Sequence, residues 1–303
     1  MSVIAVTGAS GFVGQKLVTR LLAEGGEVRA VVSGRREIPA FDPRVRVYVW
    51  EAREGEHGLS FLEEATAVCH LAAFIPGSLG SPAGARECLE VNALGTLALL
   101  QEASRCGARR FVHLSSGNAY RTQDRPVSEG DLLYPSARAP FYLASKLCGE
   151  IFASHFGEIG ALDVCVLRPS AIYGPGMPRV GLVPTFATRL LAGQAIDVTD
   201  GDTYKVDLVH VDDLLDAIVT ALKNKASGAF NVGSGTAVTP RGVAEILAEI
   251  TGADRALIRT ATHPGVPAKG FSPLDVARAR AELDYSPRDL RTGLADYVAS
   301  LGG

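Results

Sequence analysis

Val3-Ile4-Ala5-Val6-Thr7-Gly8-Ala9-Ser10-Gly11-Phe12-Val13-Gly14 reads as a strand, a tight turn and the start of a helix. The first five residues favour extended backbone. From Val13 onward Leu17 and Leu21, with Val18 and Leu22 beside them, recur at the i, i+4 spacing of an inward-facing helical stripe. The stripe stops at Glu24-Gly25-Gly26, a C-terminal signal. In this setting each glycine has a separate use. Without a Cβ, the chain turns tightly at Gly8, approaches a pyrophosphate at Gly11 and lets the helix pack close at Gly14, while the free N–H groups of the helix start face the anion. A dinucleotide site is expected here, with Ser10, Phe12 and Val13 on its rim. A plain glycine-rich turn would need neither the strand before it nor the helix after it.

Outward from this unit the alternation continues to about residue 170, through EVRAVV (27–32), VRVYVW (45–50), AVCHLA (67–72), RRFVHLSS (109–116) and LDVCVLR (162–168). Runs this continuous in apolar residues predict strands buried on both faces, hence a parallel sheet between helices, doubly wound by right-handed crossovers. The expected architecture is α/β: a Rossmann-type doubly wound parallel sheet over 1–170, with 207–235 returning to it, and a smaller C-terminal substrate lobe of 171–206 and 236–303. Glycine and proline cluster in the lobe, as YGPGMP (173–178) and GVPAKGFSP (265–273). Helices are predicted near 182–192, after Pro240, and near 274–283 and 288–300, with the stretch DLVHVDDLLDAIVTAL (207–222) as a further element.

Composition bounds the function. The 303 residues are 47% hydrophobic and 21% charged, enough for a large core and against disorder. Thirty Lys and Arg against 33 Asp and Glu give a net charge of −3, with no excess to attract nucleic acid. The first residues lack a basic segment and their apolar run breaks at Gly8, so neither a signal peptide nor a membrane span fits, and a cytoplasmic protein is expected. Five dispersed cysteines, with no C-x-x-C, read as reduced core thiols.

The end of the second strand selects the nucleotide, since an acid there accepts from the ribose hydroxyls of NAD. This chain has Val32-Ser33-Gly34-Arg35-Arg36. Two guanidiniums and no carboxylate favour NADP(H), whose 2′-phosphate they can pair; NAD(H) with two solvated arginines is the other option. Glu51, after the third strand, is either an acceptor for the adenine amino group or a solvated loop acid.

Tyr142 and Lys146 leave the same face of one helix in APFYLASKLCGE (139–150). An ammonium beside a phenol lowers the phenol's pKa and makes Tyr142 a general acid/base for an alcohol or ketone. Upstream, the fifth strand ends in His113-Leu114-Ser115-Ser116-Gly117, where a serine hydroxyl can hold the same oxygen. The bland counterpart is a half-buried Tyr, a surface Lys and ordinary turn serines.

With these residues the chain resembles the extended short-chain dehydrogenase/reductase family, the NAD(P)-dependent epimerase/dehydratase group, over almost its whole length. TGASGFVG and YLASK are joined by HLAA (70–73), VNALGT (91–96), SSGNAY (115–120), LRPSAIYGPG (167–176), LVHVDDL (208–214) and FNVGSG (230–235). The resemblance implies Ser116 as catalytic serine, Tyr142 as acid/base and Lys146 as the lysine that also holds the nicotinamide ribose. It implies that Leu71, Ala72 and Ala73 line the cofactor path, with Ala52, Asn92, Leu114 and Ser115, and that Pro169, Ser170 and Ala171 lie near the nicotinamide. It also implies a homodimer built on two helices per subunit, from 83–106 and 140–158.

Departures from the family narrow the activity. Its dehydratases carry an Asp-Glu pair after the catalytic Ser/Thr, where this chain has Gly117-Asn118. Its epimerases carry an Asn and an Arg-Asp where this chain has Ala171 and Val206-Asp207; Arg179 or Lys205 could replace the missing charge. His210, Asp212 and Asp213 form half a metal site with no partner cluster, and a helix start capped by Asp is expected instead, with no metal. The expected function is a ketoreductase or dehydrogenase acting at a secondary alcohol or ketone of a sugar or sugar nucleotide. A nucleotide-sugar 4-epimerase is the alternative, and a non-catalytic nucleotide sensor a distant third. Specificity is expected to come from the loops 74–86, 120–140 and 175–206.

Overall fold

The computed structural model describes residues 2–35, 37–134, 139–199, 201–261 and 270–302. Strands β1 (Val3–Thr7), β2 (Glu27–Val32), β3 (Arg46–Val49), β4 (Ala67–His70), β5 (Arg110–Leu114), β6 (Asp163–Pro169) and β10 (Gly228–Val232) form one parallel sheet in the order β10-β6-β5-β4-β1-β2-β3. β1 leads to β2 on one side, while β4 lies on its other side, so the order reverses above Gly8. That reversal is where doubly wound sheets open a ligand crevice.

The apolar runs are continuous because both faces of the sheet are covered. Ile4 and Val6 of β1 pack with Leu17, Val18 and Leu21 of α1 (Phe12–Ala23) and with Leu214 and Ile218 of α6 (Val211–Lys223). Ala5 points to the opposite face, into a core with Phe111, Val166, Leu99 and Leu100. Leu17 and Leu21 are almost fully buried, each removing apolar surface worth about 1.5–3 kcal/mol from water. The Leu99 and Leu100 face comes from α3 (Gly95–Arg105), which continues α2 (Ala85–Cys88) through a π-helical turn, Leu89–Leu94. The remaining flanking helix, α4 (Pro140–Glu158), starts with its proline in the first turn, where a missing N–H costs nothing.

The small lobe has its own core of Tyr173, Phe186, Leu190, Val243, Leu247, Leu294 and Tyr297. It contains a sheet of β7 (Ala171–Tyr173), β9 (Val206–His210) and β11 (Ala237–Val238), and a pair of β8 (Ile196–Thr199) and β12 (Ile258–Ala261). Around these pack α5 (Leu182–Leu191), α7 (Pro240–Thr251) and α9 (Leu290–Ala299). α7 shows why its sequence starts and stops there: Thr239 Oγ1 caps it by accepting from Gly242 N, and Gly252 leaves it in the left-handed region. The 207–222 stretch is two elements, β9 and α6, divided at His210. The cap of α6 is that histidine, whose Nδ1 accepts from Asp212 N, and not the expected Asp; Asp212 and Asp213 occupy the first turn, where their charge suits the helix dipole. α8 (Ala277–Leu283) packs against β10 and α6. All five cysteines are free thiols, and Cys69, Cys88 and Cys165 are buried. None of the described helices is long and apolar enough to cross a membrane.

Candidate active site

The glycine turn is shaped by its neighbours. Gly8 has φ +70°, and a Cβ there would lie 2.7 Å from Ala72 N, because Leu71–Ala73 cross directly over it from the end of β4. A Cβ at Gly14 would meet Gly8 O at 2.2 Å, so α1 packs on the turn only with hydrogen at that position. Gly11 is the N-cap of α1, in extended backbone and with no side chain capping the helix. Uncapped N–H groups beside backbone that no side chain covers fit a dinucleotide's pyrophosphate. Ser10, Phe12 and Val13 line the same edge, half-buried.

Leu71–Ala73 are tied in place by a relay. Ala72 N donates to Thr7 Oγ1, Thr7 Oγ1 meets His70 Nδ1 at 2.7 Å, His70 Nε2 meets Thr96 Oγ1 at 2.9 Å, and Thr96 Oγ1 donates to Asn92 O. Since the Thr96 proton is used on Asn92, His70 must donate from Nε2 and accept at Nδ1. Burial holds its pKa down at about 3, so the ring stays neutral. Asn92 itself is fully buried. Its Oδ1 accepts from Phe74 N at 2.7 Å, and its Nδ2 donates to Phe74 O and, at 2.9 Å, to Ser145 Oγ. The Asn92 amide thus joins the loop after β4 to α4.

At the ribose end, Ser33 Oγ and Gly34 N both donate to Glu51 Oε1, at 2.9 and 2.8 Å. Arg35 Nε lies 3.2 Å from Glu51 Oε2, and Arg35 Nη1 3.4 Å from Glu87. Glu51 is thus tied to the turn after β2 and is not a free loop acid, though three donors leave part of its acceptor capacity unused, and Arg35 is already paired. Arg36 lies outside the described residues. Ala52 is buried under Gly95, where a Cβ would come within 2.8 Å of it.

β5 delivers Ser115 and Ser116 to the carboxyl edge of the sheet, and α4 carries Tyr142 and Lys146. Ser116 Oγ accepts from Asn118 N at 3.3 Å, a bond that uses a lone pair and not the hydroxyl proton. The expected lowering of the Tyr142 pKa does not occur: burial, with Cys88 nearby, pushes it up to about 12. Burial likewise brings Lys146 down to about 8, against the opposing pull of Glu150. Burial, and not the lysine, sets the direction of the phenol's shift. His113, buried beneath them with neither ring nitrogen hydrogen-bonded, is held neutral by burial and by Lys146.

Sequence reasoning missed what supports these groups. Glu150 is buried, accepts from Ser115 Oγ at 2.5 Å and forms an ion pair with the equally buried Arg168, whose Nε donates at 2.9 Å. Arg168 also donates to Tyr120 OH, which donates to Asn231 Oδ1 at 2.8 Å. Asp207 is a second buried hub, accepting from Ser170 Oγ, Ser234 N and Oγ, Gly235 N and Leu274 N. Ser115 and Ser170, expected at the cofactor, spend their hydroxyls on these two acids. Leu114, Pro169 and Ala171 sit beside them at the ends of β5 and β6 and the start of β7. Lone acids far from their partners in sequence give no local pattern, though the Lys-x-x-x-Glu spacing on α4 placed Glu150 on the lysine's face.

His210 and Asp212 gain a third partner from α9: Asp296 Oδ2 lies 3.1 Å from His210 Nε2, and the three ligand atoms fall within 4.8 Å of one another. Arg288 Nη1 stands 3.9 and 3.8 Å from the two carboxylates, and its Nε donates to Asp213 at 2.8 Å. With a guanidinium already neutralising the acids, the cluster is an ion-pair network that fastens α9 to α6.

A family model described as the NAD dependent epimerase/dehydratase family matches residues 4–233. The chain belongs to that family. It is an NAD(P)-dependent enzyme of the extended short-chain dehydrogenase/reductase type. Among relatives, a UDP-glucose 4-epimerase of Mycolicibacterium smegmatis is 33% identical, with 97% of this chain and 96% of the relative covered. A dTDP-4-dehydro-6-deoxy-D-allose reductase of Streptomyces bikiniensis is 28% identical, covering 97% and 94%. In structure the family member resembles MoeE5 in complex with UDP-glucose and NAD, at 30% identity and TM-score 0.85 over 99% of this chain and 98% of that one.

Proposed function

We propose that this family member moves a hydride at a secondary carbon of a sugar nucleotide, as a ketoreductase or dehydrogenase. What carries the reading is that Ser116 follows the end of β5, and Tyr142 and Lys146 stand in the first turns of α4, at the carboxyl edge of the same sheet whose β1 runs into the glycine turn. When bound there, a nicotinamide dinucleotide supplies or accepts the hydride. Ser116 donates its uncommitted proton to the substrate oxygen. Tyr142, a neutral phenol at physiological pH, gives its proton to that oxygen as ketone becomes alcohol, and charged Lys146 stabilises the phenolate left behind. The reverse sequence oxidises the alcohol. Dehydration is not part of the reading, because a Cβ at Gly117 would come within 2.7 Å of Leu274 and 3.1 Å of Pro169 O, leaving no space for an acid after Ser116. The sugar-nucleotide substrate is drawn from the relatives, among which are both a reductase and an epimerase.

The 4-epimerase is a second reading, favoured by the 33% identical relative and by the pairing of Arg35. That pairing also takes the main support from NADP(H) and makes NAD(H) the better fit. Denaturing the purified protein and identifying released nucleotide by mass separates the two. Stoichiometric NAD supports the epimerase. An empty protein that oxidises added NADH or NADPH with a keto-sugar nucleotide supports the reductase, and no turnover with either substrate class refutes both. The homodimer is part of the same proposal: the π-helical turn and α4 leave Leu89, Leu94 and Ile151 about half exposed, apolar residues that a second copy would cover. Light scattering at the monomer mass would refute it.

A further inference from the structure

We propose that Glu51 selects between the two nicotinamide dinucleotides, favouring the form with a free 2′-hydroxyl over the 2′-phosphate form. The inference rests on the dinucleotide reading of the glycine turn. In a doubly wound sheet the adenosine ribose lies at the carboxyl end of the second strand, where an acid accepts from its hydroxyls. β2 ends at Val32 and is followed by Ser33-Gly34-Arg35, with no acid. The carboxylate arrives instead from the neighbouring strand: Glu51 follows β3 by two residues and reaches back to Ser33 Oγ, Gly34 N and Arg35 Nε.

The charges then decide the preference. Among the described residues, one guanidinium meets two carboxylates, Glu51 at 3.2 Å and Glu87 at 3.4 Å, leaving a local balance of −1. A 2′-phosphate would bring up to two more negative charges to a carboxylate only 18% exposed, where repulsion is weakly screened. Arg35 would have to share its one positive charge between that phosphate and the two carboxylates it already meets. Ribose hydroxyls ask for the opposite, an acceptor, and a carboxylate has about four lone-pair sites, more than its three protein donors use.

Calorimetric titration with NADH and NADPH tests this on the full chain, without turnover. The wild type is expected to bind NADH at least about tenfold more tightly. Glu51→Gln keeps the shape and an acceptor for Gly34 N but frees Arg35, and should move the ratio at least about tenfold toward NADPH. Adding Arg35→Ala should erase that gain. A wild type that prefers NADPH, or a Glu51→Gln protein with the wild-type ratio, overturns the role of Glu51 while leaving the dinucleotide site intact. Failure to bind either nucleotide overturns the dinucleotide reading and this inference with it.

Discussion

Glu150 and Arg168 form an ion pair out of contact with water, and the same Glu150 stands one helical turn beyond Lys146 on α4. The pair therefore joins β6 to the helix of the candidate catalytic groups, and through Ser115 it also holds the end of β5. Removing one partner leaves the other as an uncompensated buried charge. Glu150→Gln should destabilise the protein by about 3–5 kcal/mol, measured by denaturant unfolding. A loss below about 1 kcal/mol would show the pair to be hydrated.

The same substitution has a second readout. Glu150 raises the Lys146 pKa against the burial that lowers it to about 8. Without the carboxylate the lysine loses its proton at a lower pH. Ketone reduction in the wild type should fall as pH rises through about 8, because neutral Lys146 no longer stabilises the Tyr142 phenolate, and Glu150→Gln should shift this limb to lower pH. Stability responds with the opposite sign. Between about pH 8 and the ordinary lysine value of 10.5 the unfolded chain holds a proton that the folded chain has released, so folding gains from this group as pH rises. Relative to Lys146→Met, the wild type should therefore gain stability as pH rises across that window, measured by unfolding at several pH values. A constant difference would place the lysine in water.

Asn92 offers a separate test of how α4 is positioned. Its amide makes three side-chain bonds, two to Phe74 and one to Ser145, whose Oγ also donates to Tyr142 O. Asn92→Leu has similar volume but leaves Phe74 N and O without partners in a buried place. A cost of about 2–4 kcal/mol is expected from these unmade bonds. Turnover should fall further than nucleotide affinity, since the loop after β4 and the Tyr142 helix lose their common anchor. Equal losses in both would place Asn92 at the cofactor after all.

What was legible in the sequence was local. The buried runs of β1, β2 and β6 announced a parallel sheet because both faces carry side chains of one kind, and Tyr142 and Lys146 declared themselves by helical spacing. The glycines did so by standing between a strand and a helix. Long-range electrostatics stayed hidden. Glu51 finds Ser33 across 18 residues and Asp207 collects donors from Ser170, Ser234 and Leu274, pairings that exist only once strands from distant segments lie side by side. The direction of the Tyr142 pKa is hidden from the sequence for the same reason. Spacing reveals the ammonium nearby, whereas the loss of water around both groups depends on the packing of the whole sheet edge.

Two glycines with the same backbone conformation separate conformational strain from crowding. Gly8 has φ +70° and Gly107 φ +77°. A Cβ at Gly107 meets nothing within 4 Å, whereas one at Gly8 would overlap Ala72 N and the Leu71 carbonyl carbon. Gly107→Ala should therefore cost only the left-handed penalty, about 1–2 kcal/mol, and leave nucleotide affinity unchanged. Gly8→Ala bears the same penalty and must also push Leu71–Ala73 off the turn, disturbing the Thr7–His70–Thr96 relay that holds that segment. Its stability loss should exceed that of Gly107→Ala, and dinucleotide affinity should fall by at least about tenfold, which is 1.4 kcal/mol. Thermal unfolding and nucleotide titration of the two proteins side by side make the comparison. Equal behaviour would mean that the crossing of Leu71–Ala73 over Gly8 is soft enough to yield to a methyl group, and that the cradle does not depend on it.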